Sequence, residues 1–320
     1  MSEKFRFTNV SVGDVLVFNY NLKPEYGKLM NVTNATLTNV TGKWLDNDYH
    51  RFLVQSISGT VEILLTVSEI NLSELTVGST FRFGRYYVST ENPHAIEWRI
   101  VHQTDDYQIA MVTEILDYKC FDAREPNNTA TGTANYGNNN WKLSNICQFL
   151  NSDQKVWYKA QHEYDTPPSL SYTDKNAYDD HYGFLYYFSD YEKSLLKDMT
   201  IKYANPSSGS YEWTGKVWLP TRTQIVGGTN NSIAEGERFT YFTTVNSPGL
   251  PLSTECIAFN DYCIENRMIH KRIPMYYSLS SASTSSKYNV YQVSTSRSLQ
   301  GNAASNYDRA MCPCICLPRS

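Results

Sequence analysis

The residues whose types and spacing could support chemistry begin with three cysteines near the C-terminus, Cys312, Cys314 and Cys316. In a β-strand this alternation places all three thiols on one face, where soft sulfur ligands could hold an ion such as Zn²⁺. Structural zinc sites usually take cysteines from CxxC turns, and no second pair or histidine lies at ligand spacing here. The pattern favours a buried strand face without metal or other cofactor, and metal or redox chemistry remains the alternative.

The histidines give little support for a catalytic site. Six are spread along the chain, without an HExxH motif or a closely spaced pair, so a hydrolytic zinc site is not indicated. A Ser/His/Asp assembly stays open because its members need not be neighbours in sequence, although the chain has no GxSxG nucleophile elbow. We therefore expect a protein that is not an enzyme and assign no catalytic residue.

Carboxylates occur in short clusters, at Asp105–Asp106, at Asp179–Asp180 and at Glu235 with Glu237. Carboxylate oxygens are ligands that Ca²⁺ prefers, so each cluster could contribute to a calcium site. No EF-hand loop accompanies them. The clusters alone therefore do not predict a metal site.

The strongest candidate for a binding site is a polar segment, residues 280–309, in which Ser, Asn, Tyr and Thr dominate. Tyrosine supplies a large contact area at low entropic cost, and Ser and Asn supply adaptable hydrogen bonds, a mixture typical of recognition loops. We predict ligand-binding loops here, with an ordinary solvated loop as the alternative. The predicted ligand-binding residues are Tyr288, Tyr291, Asn302, Asn306, Tyr307 and Arg309.

The overall composition excludes several partners. The 320 residues carry a net charge of −4, and no run of Lys or Arg exceeds two residues, so we expect no nucleic-acid partner. The longest aliphatic run, Ile63–Val67, is too short to span a membrane, and the first residues lack the apolar core of a signal peptide. We expect synthesis in the host cytoplasm, no membrane insertion, and reduced cysteines that behave as small buried hydrophobes.

The elements that must position these residues are mainly strands. Aromatic residues make up 14% of the chain and charged residues 19%, a balance that favours half-buried strands over long helices. Residues 1–75 are predicted to form a small β-rich module, in which Asn31–Thr41 suits an edge strand or an interface arm. Its strand-length apolar runs are Val15–Phe18, Leu29–Val32, Phe52–Val54 and Val61–Val67.

Residues 76–320 are predicted to form a second domain. The predicted strands are Val77–Phe83, Ile96–Val101, Ile109–Val112, Val217–Leu219, Ile257–Phe259 and Cys312–Leu317, with two more near Asn289–Val293 and Ser296–Leu299.

Two helices are predicted in this second domain. In Trp141–Asn151 the apolar residues recur at the spacing of one helix face. Ser189 and Glu192 have the spacing of a capping box, which opens the second helix. The side chains expected to bury that helix are Leu195, Leu196 and Met199.

Eight segments in order resemble an uncharacterised domain family that is common in Gram-positive gut bacteria and their phages. They are VGSTFRFG (Val77–Gly84), IEWRIV (Ile96–Val101), IAMVTEILD (Ile109–Asp117), WKLSNICQFLN (Trp141–Asn151), FSDYEKSLL (Phe188–Leu196), KVWLPTRTQI (Lys216–Ile225), MYYSLSSAS (Met275–Ser283) and MCPCICLP (Met311–Pro318). The family is related in architecture to the C-type-lectin-like and sulfatase-modifying-factor folds. The resemblance implies an α+β protein, with a small N-terminal β module followed by a C-type-lectin-like domain that has a mixed antiparallel sheet, two helices and long loops. Because the family fold brings its termini together, the resemblance also implies that the first three strands of residues 76–320 share a sheet with the last one, Cys312–Leu317.

The chain departs from the family pattern at two arginines. Ser280 stands where the family has Arg after its paired aromatics, here Tyr276 and Tyr277, and AMCP replaces GVRP before the last strand. The letters of the lectin sugar-binding signature occur at Glu125-Pro126-Asn127, well before the C-terminal loops that carry that motif in C-type lectins. We therefore do not expect a calcium-dependent sugar site there.

The resemblance and the absence of catalytic motifs lead to a functional hypothesis. We expect a non-enzymatic phage virion protein, associated with capsid or tail, that displays a lectin-like domain to a host-surface glycan or protein. Residues 1–75 would bind other virion proteins, and the chain would form a homo-oligomer. The rivals are a sulfatase-modifying-type oxidase that uses the C-terminal cysteines and a bacterial interaction protein without a virus.

Overall fold

The protein is described from a computed structural model that covers residues 2–19, 28–39, 49–67, 72–86, 94–130, 132–205, 209–244, 257–258, 276–294 and 298–319. The chain divides into two compact units, of which the first contains residues 1–71 and 81–96 and the second residues 72–80 and 97–320. Strands dominate and the helices are short, so the fold is α+β with a large excess of β-structure. A compact unit need not fold independently. The predicted domain boundary at residue 75 therefore stays a prediction.

The first unit contains a four-stranded antiparallel sheet built on one long strand, β4, which spans 19 residues. Two of the predicted runs, Phe52–Val54 and Val61–Val67, are parts of β4, which pairs with β3 on both sides of a register shift between them. At this shift residues 58–61 of β4 lie opposite Asn34 alone, which has a φ of 66° and whose Nδ2 donates to Thr60 O at 2.9 Å. The strands are β1 (Ser2–Phe7), β2 (Val15–Asn19), β3 (Lys28–Asn39) and β4 (Tyr49–Val67).

A five-stranded sheet confirms the predicted neighbourhood of the first and last strands of the second domain. Its order is β12-β18-β7-β6-β5, so the C-terminal strand lies in the interior of the sheet and pairs antiparallel with β7. The strand β18 starts at Cys314 rather than at Cys312. The members are β5 (Thr80–Tyr86), β6 (His94–Gln103), β7 (Tyr107–Val112), β12 (Val217–Trp218) and β18 (Cys314–Pro318).

A second five-stranded sheet carries most of the predicted recognition segment and has the order β16-β15-β14-β17-β9. The predicted strand at Asn289–Val293 is confirmed as β15. Of the strand expected at Ser296–Leu299, residues 296–297 lie outside the described residues, and Leu299 is the first residue of β16. The members are β9 (Asp117–Tyr118), β14 (Tyr277–Ala282), β15 (Asn289–Val293), β16 (Leu299–Ala303) and β17 (Ala310–Met311). Two smaller pairs are β8 (Glu114–Ile115) with β13 (Ile257–Ala258), and β10 (Met199–Ala204) with β11 (Ser210–Gly215).

The helices are more numerous and shorter than the two predicted. The helix expected at Trp141–Asn151 is split, because Ser144 is extended, with φ −79° and ψ 148°, and caps a new helix start. The capping box of Ser189 and Glu192 is confirmed at the start of α4, where Leu196 is buried while Leu195 and Met199 are half-buried. The described helices are α1 (Thr133–Tyr136), α2 (Asn145–Leu150), α3 (Leu170–Thr173), α4 (Asp190–Leu195), α5 (Arg222–Val226) and α6 (Thr240–Thr244), with 3₁₀ turns at Leu72–Glu74, Trp141–Leu143 and Phe184–Tyr187.

Much of the aromatic content of the second unit forms its core rather than a contact surface. Trp141 is fully buried, with its ring centroid 5.6 Å from that of Trp213 in an edge-to-face contact. Tyr178 is also fully buried and stacks on Trp157 at 5.5 Å. Tyr277, one of the paired aromatics, also has no exposed surface and lies in the core.

Candidate functional site

The second unit contains a cleft of about 270 Å³ that is lined mainly by polar residues, which expose polar and apolar atoms in similar amounts. Five asparagines dominate its lining, a composition that offers both hydrogen-bond donors and acceptors to a ligand. The residues that line it are Asn128, Ala130, Thr133, Asn138, Asn139, Asn140, Asn205 and Lys287.

Three consecutive asparagines shape one wall of the cleft, and each has a different structural task. Asn138 Oδ1 accepts from Asn140 N at 2.9 Å, and Asn140 Oδ1 accepts from Lys142 N at 3.0 Å, which caps the 3₁₀ turn. Asn139 Nδ2 donates to Ser286 O and Asn289 O, both at 2.8 Å. The wall is thereby fastened to the turn that joins β14 and β15.

Gly137 directly precedes the three asparagines of this wall and has a backbone conformation that depends on glycine. It has φ 72° and ψ −177°, a conformation that is open essentially to glycine alone. A Cβ at this position would lie 2.7 Å from Asp122 O and 2.8 Å from Ala123 O, closer than real Cβ contacts. The wall therefore approaches the Asp122 backbone as closely as it does only because residue 137 has no side chain.

Three polar groups on the lining are available to a ligand. The Nδ2 atoms of Asn138 and Asn140 and the Nζ of Lys287 make no hydrogen bond or ion pair with the described part of the chain. Beside them, the rings of Tyr136 and Tyr288 pack with centroids 4.9 Å apart, and Tyr136 is 44% exposed. The cleft thus combines free amide donors, one cation and an adjacent aromatic pair.

A cluster of three carboxyl groups contacts the lining of the cleft; those of Asp122 and Glu125 are buried, and that of Asp165 is half-buried. Asp122 Oδ2 accepts from Asn138 N at 2.8 Å, and Asn128 Nδ2 donates to Glu125 Oε2, so both carboxyl groups hold residues of the cleft. The charge of Glu125 also raises the pKa of Asp122, so the two carboxyl groups interact electrostatically.

The rest of the carboxyl cluster is joined to it by one amide and one imidazole. Asn145 N donates to Asp122 Oδ1 at 3.0 Å, and Asn145 Nδ2 donates to Asp165 Oδ1 at 3.0 Å. His162 Nε2 lies 3.0 Å from Glu125 Oε1, within ion-pair distance although not aligned for a hydrogen bond. The fold brings these groups together from three separate segments of the chain.

Burial decides the protonation of this cluster. Asp122 and Glu125 are 1% and 0% exposed, and loss of solvation raises the pKa of Asp122 well above its ordinary value. The pKa values of Glu125 and Asp165 are also raised, again mainly by burial, with hydrogen bonds opposing the shift. The adjacent carboxylates add to the cost of ionising Asp122, so the cluster retains a proton above the usual carboxyl range.

A second buried carboxylate, Glu235, is fully engaged in structure. It accepts from Ala204 N at 3.0 Å, from Asn230 Nδ2 at 3.1 Å and from the hydroxyl of Ser281. Its sequence neighbour Glu237 lies instead 3.2 Å from His102, so the predicted Glu235–Glu237 pair does not form one site. A carboxylate with these partners stabilises the surrounding loops rather than binding an ion.

At Ser280, one of the two departures from the family pattern, a small polar network is present. Ser280 Oγ donates to Leu219 O at 2.6 Å and accepts from the Tyr203 hydroxyl at 3.1 Å, and both side chains are fully buried. The position is therefore structural in this chain.

The cysteines have the environment of core residues. Cys312, Cys314 and Cys316 are buried and form no disulfide, and burial raises the pKa of Cys316 to about 11. Within the described ranges no three His, Cys, Asp or Glu side chains are arranged to hold a metal ion. Cys256 and Cys263 lie outside the described residues.

Among the described residues, a hydroxyl, an imidazole and a carboxylate lie in the order of a catalytic triad, but they are poorly suited to catalysis. Thr240 Oγ1 lies 2.9 Å from His102 Nδ1, and Glu237 Oε2 lies 3.2 Å from His102 Nε2. The Glu237 side chain is 75% exposed and so orients the imidazole weakly. Threonine nucleophiles are activated by their own N-terminal amine, which an internal residue such as Thr240 lacks.

The predicted recognition residues are not in loops throughout, and the structure does not gather them on one surface. Tyr291 lies in β15 and Asn302 in β16. The partner of Tyr291 in this pair is Gly301, and the partner of Asn302 is Val290, so Tyr291 and Asn302 point to opposite faces of the sheet. All six predicted residues are half-buried.

Each of the six also has a partner within the chain. Asn306 Nδ2 donates to Asn302 Oδ1 at 3.3 Å, the Tyr291 ring faces the Arg222 guanidinium at 5.9 Å, and the Tyr307 ring faces the Lys175 ammonium at 5.7 Å. Arg309 NH1 lies 2.8 Å from Asp308 Oδ1, and its guanidinium lies over the Tyr276 ring. Of the set, Tyr288 is next to the cleft, because it follows Lys287 and packs on Tyr136.

Sequence reasoning missed the cleft, Asp122, Asp165 and His162, and it noticed Glu125 only as part of a lectin-like triplet. One signal was present in the sequence, the run of asparagines at Asn138–Asn140 after Gly137, which is unusual for an ordinary solvent-exposed loop. The carboxyl cluster had no comparable signal, because its members are separated by up to about 40 residues.

These features define a β-rich protein with a polar cleft over buried carboxyl groups. The chain belongs to the DUF6273 family, a domain of unknown function whose family model matches residues 108–319. No curated protein and no solved structure gives a significant match to the chain. In the described residues no helix is long and apolar enough to cross a membrane.

Proposed function

We propose that this chain is a non-enzymatic phage virion protein whose DUF6273 domain binds a host-surface saccharide in the asparagine-lined cleft. The observation that carries the proposal is the set of free polar groups on that lining, the Nδ2 atoms of Asn138 and Asn140 and the Nζ of Lys287. They lie on a wall that other hydrogen bonds hold in place, so a ligand would meet preorganised groups.

A saccharide fits the cleft by its chemistry. Sugar hydroxyls both donate and accept hydrogen bonds, as side-chain amides do, and the apolar atoms that the lining also exposes can contact the C–H groups of a sugar. The adjacent Tyr136 and Tyr288 rings provide an aromatic surface on which the C–H face of a sugar could rest. The Lys287 ammonium adds affinity for a saccharide that bears an anionic group.

The virion part of the proposal depends on the resemblance to a family that is frequent in phages, and the C-type-lectin-like architecture is proposed on the same ground. In this proposal the first unit, with its sheet on the long strand β4, provides contacts to other virion proteins and supports a homo-oligomer. The remaining five predicted residues, Tyr291, Asn302, Asn306, Tyr307 and Arg309, would widen the recognition surface around the cleft. A bacterial interaction protein with the same cleft is the second candidate, and mass spectrometry of purified particles separates the two.

The binding experiment compares variants that remove a free group with variants of nearby exposed residues. Asn138→Ala, Asn140→Ala and Lys287→Ala should each weaken binding of a host-envelope saccharide about 5- to 50-fold, the effect of one or two lost hydrogen bonds. Asn127→Ala and Lys142→Ala are matched controls, because both side chains are exposed and neither lines the cleft. Titration calorimetry measures the affinities, and equal losses in both sets would contradict the proposal.

A further inference from the structure

A cluster of three tyrosine rings lies on the surface of the second unit, and none of the three lines the asparagine-lined cleft. The ring centroid of Tyr186 is 4.7 Å from that of Tyr182 and 5.0 Å from that of Tyr187. The centroids of Tyr182 and Tyr187 are 6.1 Å apart, so all three rings pack together. Tyr182 is 39% exposed, and the other two are half-buried. The cluster is therefore an aromatic surface that solvent reaches.

One cation already lies on this tyrosine cluster. The Lys155 ammonium is 5.3 Å from the centroid of the Tyr182 ring and 5.8 Å from that of Tyr186, both within the range of a cation–π interaction. Lys155 is exposed, and within the described ranges it forms no ion pair with a carboxylate. The faces of the tyrosine rings, rather than an acidic side chain, therefore hold this charge.

The turn that carries two of the rings is anchored in the core. In the 3₁₀ turn Phe184–Tyr187 the first two side chains are buried and the two tyrosines lie half-buried at the surface. The third ring, that of Tyr182, packs on both of them. The rings are thus held in place before any ligand binds, which lowers the entropic cost of binding.

Backbone contacts also fix the tyrosine segment against the segment that carries Lys155. Gly183 N donates to Gln154 O at 2.8 Å, and Leu185 N donates to Ser152 O at 2.9 Å. A Cβ on residue 183 would lie 2.8 Å from the backbone carbonyl carbon of Ser152, closer than real Cβ contacts. Glycine at this position therefore permits the approach that places the lysine beside the rings.

We propose that the cluster of Tyr182, Tyr186 and Tyr187 is a binding site for a quaternary ammonium group, and that Lys155 occupies this site in the free protein. Such a group has no N–H to donate and spreads its charge over methyl groups, so aromatic faces bind it without a carboxylate partner. The lysine ammonium is strongly hydrated and sits on a flexible stem, so it returns readily to water when displaced. The proposal does not rest on the proposed saccharide site.

The test titrates the ¹⁵N-labelled whole chain with choline, which carries a quaternary ammonium group. The control ligands are dimethylbutanol, the neutral analogue with carbon in place of the charged nitrogen, and butylamine, a primary amine. Choline should shift the backbone amides of Gly183 and Tyr186 saturably, and dimethylbutanol should not. No shift with choline, or equal binding of dimethylbutanol, would overturn the proposal. Butylamine that binds at least as tightly as choline would overturn it in favour of a site for a partner's lysine.

Removal of the resident cation tests the role of Lys155. Lys155→Ala should raise the choline affinity about 2- to 5-fold, the factor that corresponds to one exposed cation–π contact. Lys159→Ala is the matched control, because it removes the same charge from an exposed side chain that lies over no ring among the described residues. Equal choline affinities of the two variants would overturn the assignment of Lys155 as the occupant of the site.

Substitution of one ring tests the aromatic part of the site. Tyr182→Leu should weaken choline binding about 2- to 5-fold, whereas Tyr182→Phe keeps the ring and should bind as the wild type does. Because Tyr182 is exposed, both variants should keep the wild-type thermal transition, which calorimetry checks. Folded variants with equal choline affinities would show that the ring does not contribute and would contradict the proposal.

Discussion

The substitution Gly137→Ala tests whether the cleft wall depends on the close approach described above. Alanine is forced into φ 72° and ψ −177°, which costs about 1–3 kcal/mol. Its Cβ also meets two backbone carbonyl oxygens at 2.7 and 2.8 Å, and relief of such overpacking typically costs another 1–3 kcal/mol. We therefore expect a loss of roughly 3–4 kcal/mol in the free energy of unfolding.

The matched control is Gly228→Ala. Gly228 has nearly the same φ, 70°, but a Cβ there would meet nothing within 4 Å, so only the strain of about 1–2 kcal/mol applies. Urea denaturation followed by tryptophan fluorescence gives both free energies, and saccharide titration gives the effect on the cleft. The difference between the variants should be about 2 kcal/mol, with affinity lost only in Gly137→Ala. Equal destabilisation would refute the close-approach argument.

Three further predictions concern other parts of the chain. Deletion of Met311–Ser320 removes an interior strand of the five-stranded sheet and should abolish cooperative unfolding in calorimetry; an unchanged transition would show that β18 is dispensable. Replacement of Cys312, Cys314 and Cys316 by Ala should cost roughly 1 kcal/mol each through lost packing, without loss of stoichiometric metal in elemental analysis. Zinc or copper that leaves with the thiols would reverse this interpretation. Replacement of Tyr291, Tyr307 and Arg309 together by Ala should weaken particle adsorption to host cells while incorporation into particles persists; normal adsorption would restrict recognition to the cleft.

Local patterns in the sequence were sufficient to predict several elements of the fold. Short apolar runs identified β5, β6, β7 and β18 as strands of the central sheet; β7 and β18 are buried on both faces, which a continuous apolar run indicates. The capping box at Ser189 located a helix start because its two hydrogen bonds involve residues three apart. Such signals are short-range and are readable in a single sequence.

Elements controlled by distant contacts were predicted less well. The periodic segment Trp141–Asn151 suggested one helix, but Ser144 in an extended conformation divides it. The polar middle of β4 suggested two strands, but pairing with β3 keeps it continuous. In both cases a backbone conformation depends on hydrogen bonds that periodicity does not report.

The candidate site was harder still to predict. The cleft is lined by residues as far apart in sequence as Asn128 and Lys287, and the carboxyl cluster contains Asp122 and Asp165. Neither site therefore produces a recognisable spacing of residues in the sequence. The predicted recognition segment identified Tyr288 beside the cleft, but adjacent strands separate Tyr291 from Asn302 onto opposite faces. The composition indicated a polar binding site, but it did not identify the residues that form the site.

The most direct test of the account is to locate a bound saccharide on the protein by NMR. With ¹⁵N-labelled full-length chain and oligosaccharides released from the host envelope, the side-chain amides of Asn138 and Asn140 should shift progressively until saturation. The amide of Asn127, exposed and outside the cleft, should not shift. Saturable shifts confined to residues away from the cleft, or none with any envelope saccharide, would contradict the assignment of the asparagine-lined cleft as the binding site.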